Sequence, residues 1–276
     1  MEKLIYKNTT NLEEFNEEKI ITSLAKIGFS LQKAREIYFN LKDKLLQVRS
    51  TQEIFNIIFN YLKKNYPPAA FKYNLKQAIF KLGPNGFVFE KYFSKVLQNY
   101  GYKTLNNQII EGKCISHEVD IIAKKDEIAY IIECKFHKEN YFKTEVKDIL
   151  VFWSRFLDIK ENSKEKVKPW LVTNTKVTIE VLKFAYCKDI KITSWNSPLN
   201  ESLYSLIENY NLWPITILTN LKEEKAKKFF KKNILLLSEV LDLKDEELVN
   251  ILGNDYDLVF NEIKNFLNLN FSQKNS

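Results

Sequence analysis

Between residues 103 and 135 three short apolar runs follow one another with only turn residues between them. This crowding limits the possible folds more than any other feature. The runs are Lys103–Ile110, His117–Ala123 and Ile128–Lys135. Segments this short, rich in Ile and bounded by turn chemistry, read as paired strands rather than helices. An amphipathic helical pattern precedes them at Phe87–Tyr100, with Phe89, Phe93, Val96 and Leu97 on one side. A helix from about Thr144 to Leu157 follows, then a strand at Trp170–Thr173, a helix at Ile179–Cys187 and a strand at Ile190–Trp195. A helix, a three-stranded meander and a β-α-β return predict an α/β fold, with helices layered on both faces of one sheet.

The flanking segments read differently. Before the sheet lie a short strand candidate, Lys3–Lys7, and helical patterns at Glu17–Ile27, Leu31–Gln47, Thr51–Asn65 and Pro68–Leu82. After it come Glu201–Tyr210, Glu223–Lys232, Leu235–Leu241, Asp245–Leu252 and Leu258–Leu267, again helical. Turn residues at Leu82-Gly83-Pro84-Asn85-Gly86 and at Asn196-Ser197-Pro198 mark the boundaries. Three domains are therefore expected: 1–83 mainly helical, 84–198 the layered sheet, and 199–276 helical. Their formal charges are +6, +4 and −3, so the net +7 belongs to the first two.

A basic front and middle suits a polyanionic partner. Arg35, Arg49 and Arg155 are the arginines among 42 basic residues, and the rest are Lys. Lysine is a point charge for phosphate, whereas arginine supplies the fork that reads guanine edges. Contact with nucleic acid should then be mostly phosphate-directed, with low sequence specificity. With 45% hydrophobic residues, six Gly and six Pro, the chain is not a disordered or collagenous one. Met1–Phe15 lacks the apolar core of roughly seven residues that a secretory signal needs. Cys114, Cys134 and Cys187 fit neither a disulfide framework nor a zinc site. A cytoplasmic protein without membrane spans is expected.

The chemistry gathers at His117-Glu118-Val119-Asp120-Ile121-Ile122 and Ile131-Ile132-Glu133-Cys134-Lys135. On neighbouring strands this puts Asp120 mid-strand and Glu133 with Lys135 on one face of the next, while Ile132 and Cys134 face the other way. Two readings fit the spacing. Paired carboxylates make an oxygen-rich site suited to Mg²⁺, with the lysine beside the attacking water. Alternatively Lys135 makes a cross-strand ion pair with Asp120 or Glu133 and no chemistry follows. Glu90 on the preceding helix adds an acid, and Glu118 shares the face of Asp120.

Phe87–Tyr102, the strands HEVDIIA and IIECKFH, and then WLVTN resemble the PD-(D/E)xK nuclease superfamily, in its Mrr-like restriction endonuclease branch, over about 110 residues in the expected order. The resemblance implies Asp120 and Glu133 as metal ligands, the Cys134 main-chain carbonyl as another, Lys135 as the catalytic lysine and Glu90 as the first-helix acid. Relatives often carry Gln at the position of Glu133; the Glu leaves the metal pair intact.

A second resemblance covers about 80 residues at the front: Leu4-Ile5-Tyr6-Lys7, Glu14 to Ile20, Thr51 with Ile54, and Gln77 to Leu82 are similar to the ATP-cone, a nucleotide-binding regulatory domain. It implies Lys7 and Lys19 at phosphates, and Asn16, Ile20 and Thr51 around base and sugar. The family's K-R-x-G hairpin reads Lys7-Asn8-Thr9-Thr10 here, without the Arg and the turn Gly.

His117 and His137, the two histidines, flank the acidic stretch as rim residues, and the run Lys222 to Lys232 reads as a solvated helix face. The expectation is a Mg²⁺- or Mn²⁺-dependent DNA endonuclease acting in restriction or defence, with ATP or dATP as effector. A homodimer is expected, since cutting both strands needs two sites. A catalytically silent, nucleotide-responsive DNA-binding protein and a Holliday-junction-type nuclease are the alternatives.

Overall fold

The structure is a computed structural model that describes residues 4–6, 12–83 and 86–271, with the side chains of Glu13 and of residues 267–271 left out. The chain divides into two compact units, one of residues 1–77 with 257–276 and one of residues 78–256.

In the first unit β1 (Leu4–Tyr6) pairs antiparallel with β2 (Leu12–Glu14). Four helices follow: α1 (Glu17–Lys26), α2 (Leu31–Leu45), α3 (Thr51–Asn65) and α4 (Pro67–Phe80). Their starts are written in side chains. Asn16, Ser30 and Ser50 each cap a helix by accepting a backbone N–H, from Lys19, Lys33 and Glu53 respectively. Ile20, Leu24, Ile37, Leu41, Ile58 and Leu62 recur at helical spacing and form one buried core.

The second unit holds α5 (Phe87–Asn99), β3 (Lys103–Glu111), β4 (Ser116–Lys125), β5 (Ile128–Lys135), β6 (Lys143–Thr144), α6 (Val146–Asn162), β7 (Lys166–Thr173), β8 (Lys176–Val177), α7 (Ile179–Lys188), β9 (Lys191–Thr193), α8 (Leu203–Asn209), α9 (Glu223–Lys231) and α10 (Asp245–Leu252). The last helix, α11 (Tyr256–Phe271), returns to the first unit, where Phe266 meets Phe71 edge-on at 4.5 Å. The main sheet has the order β3-β4-β5-β7-β9. Its first three strands are antiparallel, while β5, β7 and β9 are parallel. The parallel pairs need crossovers, and α6 and α7 supply them. Ile149, Phe152, Phe156 and Ile159 of α6 pack with Val181 and Ala185 of α7 on Ile131 and Leu171.

Residues 199–256 are hydrogen-bonded onto the sheet domain. Tyr92 and Tyr100 donate to the carbonyls of Leu212 and Leu206, and Lys95 pairs with Glu239. The helix expected at Leu235–Leu241 is a 3₁₀ stretch, Leu237–Asp242. Leu235 and Leu237 instead hydrogen-bond to Ile215 and Trp213. The Glu239 carboxylate takes the N–H groups of Leu235 and Leu236. The backbone bonds that an α-helix would need are spent across the chain. The small β6–β8 sheet has too few residues to carry a readable alternation.

Candidate active site

The site lies where β4 and β5 part. Their ladder runs from Lys125–Ile128 to Ile121–Ile132 and ends there, one residue short of Asp120 and Glu133. β5 stays paired to β7 as far as Lys135–Thr173. At this fork the N–H of Cys134 donates to Asp120 Oδ2 at 2.7 Å. Strand alternation turns Cys134 inward, buried, while Glu133 and Lys135 face α6.

Glu90, in the first turn of α5, completes an acidic cluster. Its carboxyl is pushed up to about 7, first by burial and then by the charges of Asp120, Glu118 and Glu133. Glu133 is likewise pushed to about 7 by burial and by Asp120, against the pull of Arg155 and Lys135. Burial also raises Asp120, although the Cys134 N–H opposes it. Carboxylates raised together in this way lack positive charge.

The cations come from or face α6. Lys135 Nζ lies 3.0 Å from Asp148 Oδ1, and Arg155 Nη1 lies 3.4 Å from Glu133 Oε2. The expected alternative pairing of Lys135 with Asp120 or Glu133 is thus replaced by one to Asp148. Burial works against ionisation of Asp148, but Lys135 and the N–H of Glu145 hold its carboxyl below the usual range. Sequence reasoning passed over Asp148 and Arg155. An acid in the first turn of a helix reads as a dipole partner, and a lone Arg on a helix reads as solvated face.

The histidines separate. His137 sits behind Lys135: its N–H donates to Asn174 Oδ1 at 2.8 Å and its ring Nε2 lies 3.0 Å from Thr144 Oγ1. Burial holds its imidazole below the usual value. His117 is not at the cluster; its Nε2 lies 2.7 Å from Asp158 of α6, which also accepts N–H groups from Cys114 and Ile115. The lysine run on α9 is largely spent within the protein, with Lys222 on Asp255, Lys227 on Glu223 and Lys232 on Glu247.

Among the described residues no three His, Cys, Asp or Glu side chains stand ready to hold a metal by themselves. The donor set nonetheless suits a hard cation. Asp120, Glu133 and the Cys134 carbonyl would leave the remaining positions to water and phosphate oxygens, which is how Mg²⁺ is usually held. In the first unit, Asn16, Lys19, Ile20 and Thr51 line one cavity of about 170 Å³, together with Glu14 and Tyr73. Lys7 lies outside the described residues.

Comparison with known proteins bears on the domain that carries these residues. Residues 84–197 match the Mrr_cat family, described as restriction endonuclease. An uncharacterized protein of Archaeoglobus fulgidus is 34% identical over 158 residues, which is 57% of this chain and 88% of that protein. A crystal structure of a protein of unknown function, AF1548, aligns with a TM-score of 0.57 at 30% identity, covering 67% of this chain and 98% of that one. The chain belongs to the family of the Archaeoglobus protein, and its residues 84–197 match a restriction endonuclease domain of the Mrr kind, which supports a restriction-endonuclease-like nuclease.

Proposed function

We propose that the protein is a divalent-cation-dependent DNA endonuclease with its active site at Glu90, Asp120, Glu133 and Lys135. The observation that carries this reading is the crowding of half-buried carboxylates with raised proton affinity at the β4–β5 fork, beside a lysine on the same strand face. A structural ion pair would match charges, whereas this cluster has acids in excess. Asp120, Glu133 and the Cys134 carbonyl would hold the ion. Bound Mg²⁺ or Mn²⁺ would supply charge neutralisation at the phosphodiester and a more acidic water. Lys135, steadied by Asp148, is placed to orient that water or to balance charge as the phosphorus becomes five-coordinate.

The test is cleavage of duplex DNA with Mg²⁺ or Mn²⁺, and with EDTA. Wild type should cut only with metal. Asp120→Ala and Lys135→Ala should fold and fail to cut. Equal cutting by all three would sink the proposal, and DNA binding without cleavage would favour the silent alternative. For the first unit we propose an adenine nucleotide, ATP or dATP, in the cavity around Asn16, Lys19, Ile20 and Thr51. Titration with ATP and dATP should show binding that Thr51→Trp, which fills the cavity, removes.

A further inference from the structure

Five acidic side chains surround the fork: Glu90, Glu118, Asp120, Glu133 and Asp148. The cations acting on Asp120 and Glu133 are Lys135 and Arg155. A DNA phosphate approaching this surface meets net negative charge. Lys135 is already engaged by Asp148, whose side chain is only 11% exposed. Arg155 differs. Its bond to Glu133 is a single long one, 3.4 Å against 3.0 Å for Lys135, while its side chain is 45% exposed, close to the 41% of Lys135. A guanidinium carries five N–H donors in a plane, so most of its capacity faces outward.

The residue type adds to this. In a chain that uses Lys at nearly every basic position, a functionally indifferent cation would be expected to be Lys. Arginine forms the two-pronged bond to phosphate that lysine cannot. Position 155 also lies seven residues after Asp148, two helical turns along the same face of α6. That face therefore sets one counter-charge against each member of the Glu133–Lys135 pair.

We infer that Arg155 is a phosphodiester-binding residue of this site, held on Glu133 until a divalent cation takes that carboxylate. The inference rests on the nuclease reading above. A carboxylate that shares its charge with a divalent ion attracts a guanidinium less, so the weak pair opens. The crevice that Glu118, Glu133 and Arg155 share with six apolar side chains is about 10 Å³, room for roughly one water. The freed guanidinium then points to the DNA backbone. In this way the entry of the metal converts an internal counter-charge into a substrate contact.

The inference predicts opposite changes in two measurements. Without DNA, Arg155→Gln should bind Mn²⁺ about three- to tenfold more tightly than wild type by calorimetry, because a competing cation has gone. The same variant should cut DNA at least about tenfold less efficiently, mainly through KM. Arg155→Lys, which keeps charge and most of the packing, should bind Mn²⁺ within about twofold of wild type yet still cut several-fold less well. Arg155→Gln that binds Mn²⁺ no better than wild type, or either variant cutting at the wild-type rate, overturns the inference while leaving the nuclease reading intact. Wild type that neither binds Mn²⁺ nor cuts overturns both.

Discussion

The carboxylate beside His117 of β4 and the carboxylates around Asp120 of the same strand are treated in opposite ways. At one end Asp158 accepts the N–H groups of Cys114 and Ile115, at 2.8 and 3.3 Å, and meets His117 at 2.7 Å. These bonds, His117 first, hold its carboxyl far below the usual range. Three residues further along β4, Asp120 and the neighbouring Glu133 of β5 and Glu90 of α5 are raised, with a single N–H on Asp120 and one long arginine contact on Glu133. The first group is a finished piece of structure that pins the β3–β4 hairpin to α6. The second is left short of positive charge, a cost to folding that only a bound cation or a proton relieves. Nearness to the same strand therefore says little about role; how fully the carboxylate is satisfied says much more.

The sharpest way to break this contrast is to remove one acid from each group. Asp120→Ala should lower DNA cleavage by at least about 100-fold while leaving the protein folded. Asp158→Ala should keep the cleavage rate per folded molecule and lower Tm instead. Reversal of these two outcomes, read by gel assay and circular dichroism, would end the distinction. Next in size is the hairpin tip. A Cβ on Gly112 would lie 2.6 Å from the Ile115 carbonyl oxygen and press on the Asp158 carboxylate. Gly112→Ala should thus destabilise the protein by roughly 1–3 kcal/mol, measured by urea unfolding.

The pH profile separates the groups more finely. Glu90 and Glu133 hold their protons to about 7 in the folded state, so stability falls as pH rises from the ordinary glutamate range toward 7. Asp158 is depressed, so its contribution is present at all these pH values and is lost only in stronger acid. Metal-free protein should therefore melt lower at pH 8 than at pH 5.5, and Mg²⁺ should recover part of the loss. Glu133→Gln should flatten that slope and raise Tm by a few degrees at pH 8; an unchanged slope would show that the cluster is not under charge strain. The smallest effect belongs to the exposed Lys113–Glu161 pair beside the hairpin. Lys113→Gln should shift Tm by no more than about 1 °C.

Much of this was readable from residue patterns. The spacing of Asp120, Glu133 and Lys135 placed the acids on adjacent strands because a strand reverses its faces every residue. The caps Asn16, Ser30 and Ser50 stand where the helical patterns begin, since each satisfies an N–H that every helix leaves over. His117 shows where such reading stops. It is three residues from Asp120 along β4, yet its partner is 41 residues away on α6. Leu235–Leu241 shows a second limit, because an apolar run does not reveal whether its backbone will bond to itself or to a distant segment.

Periodicities of two and 3.6 residues follow from local backbone geometry, so the sequence alone settled most of the strands and helices around the site and which of their faces turn inward. It also supplied the acids and the lysine. Which counter-charge each of them meets was decided by packing. Asp148 reaches Lys135 and Arg155 reaches Glu133 only because α6 lies along β5 with the right rotation about its axis, and a turn of one residue would carry either side chain some 100° away. Contacts of that kind depend on how two buried faces fit together, which no stretch of chain carries within itself.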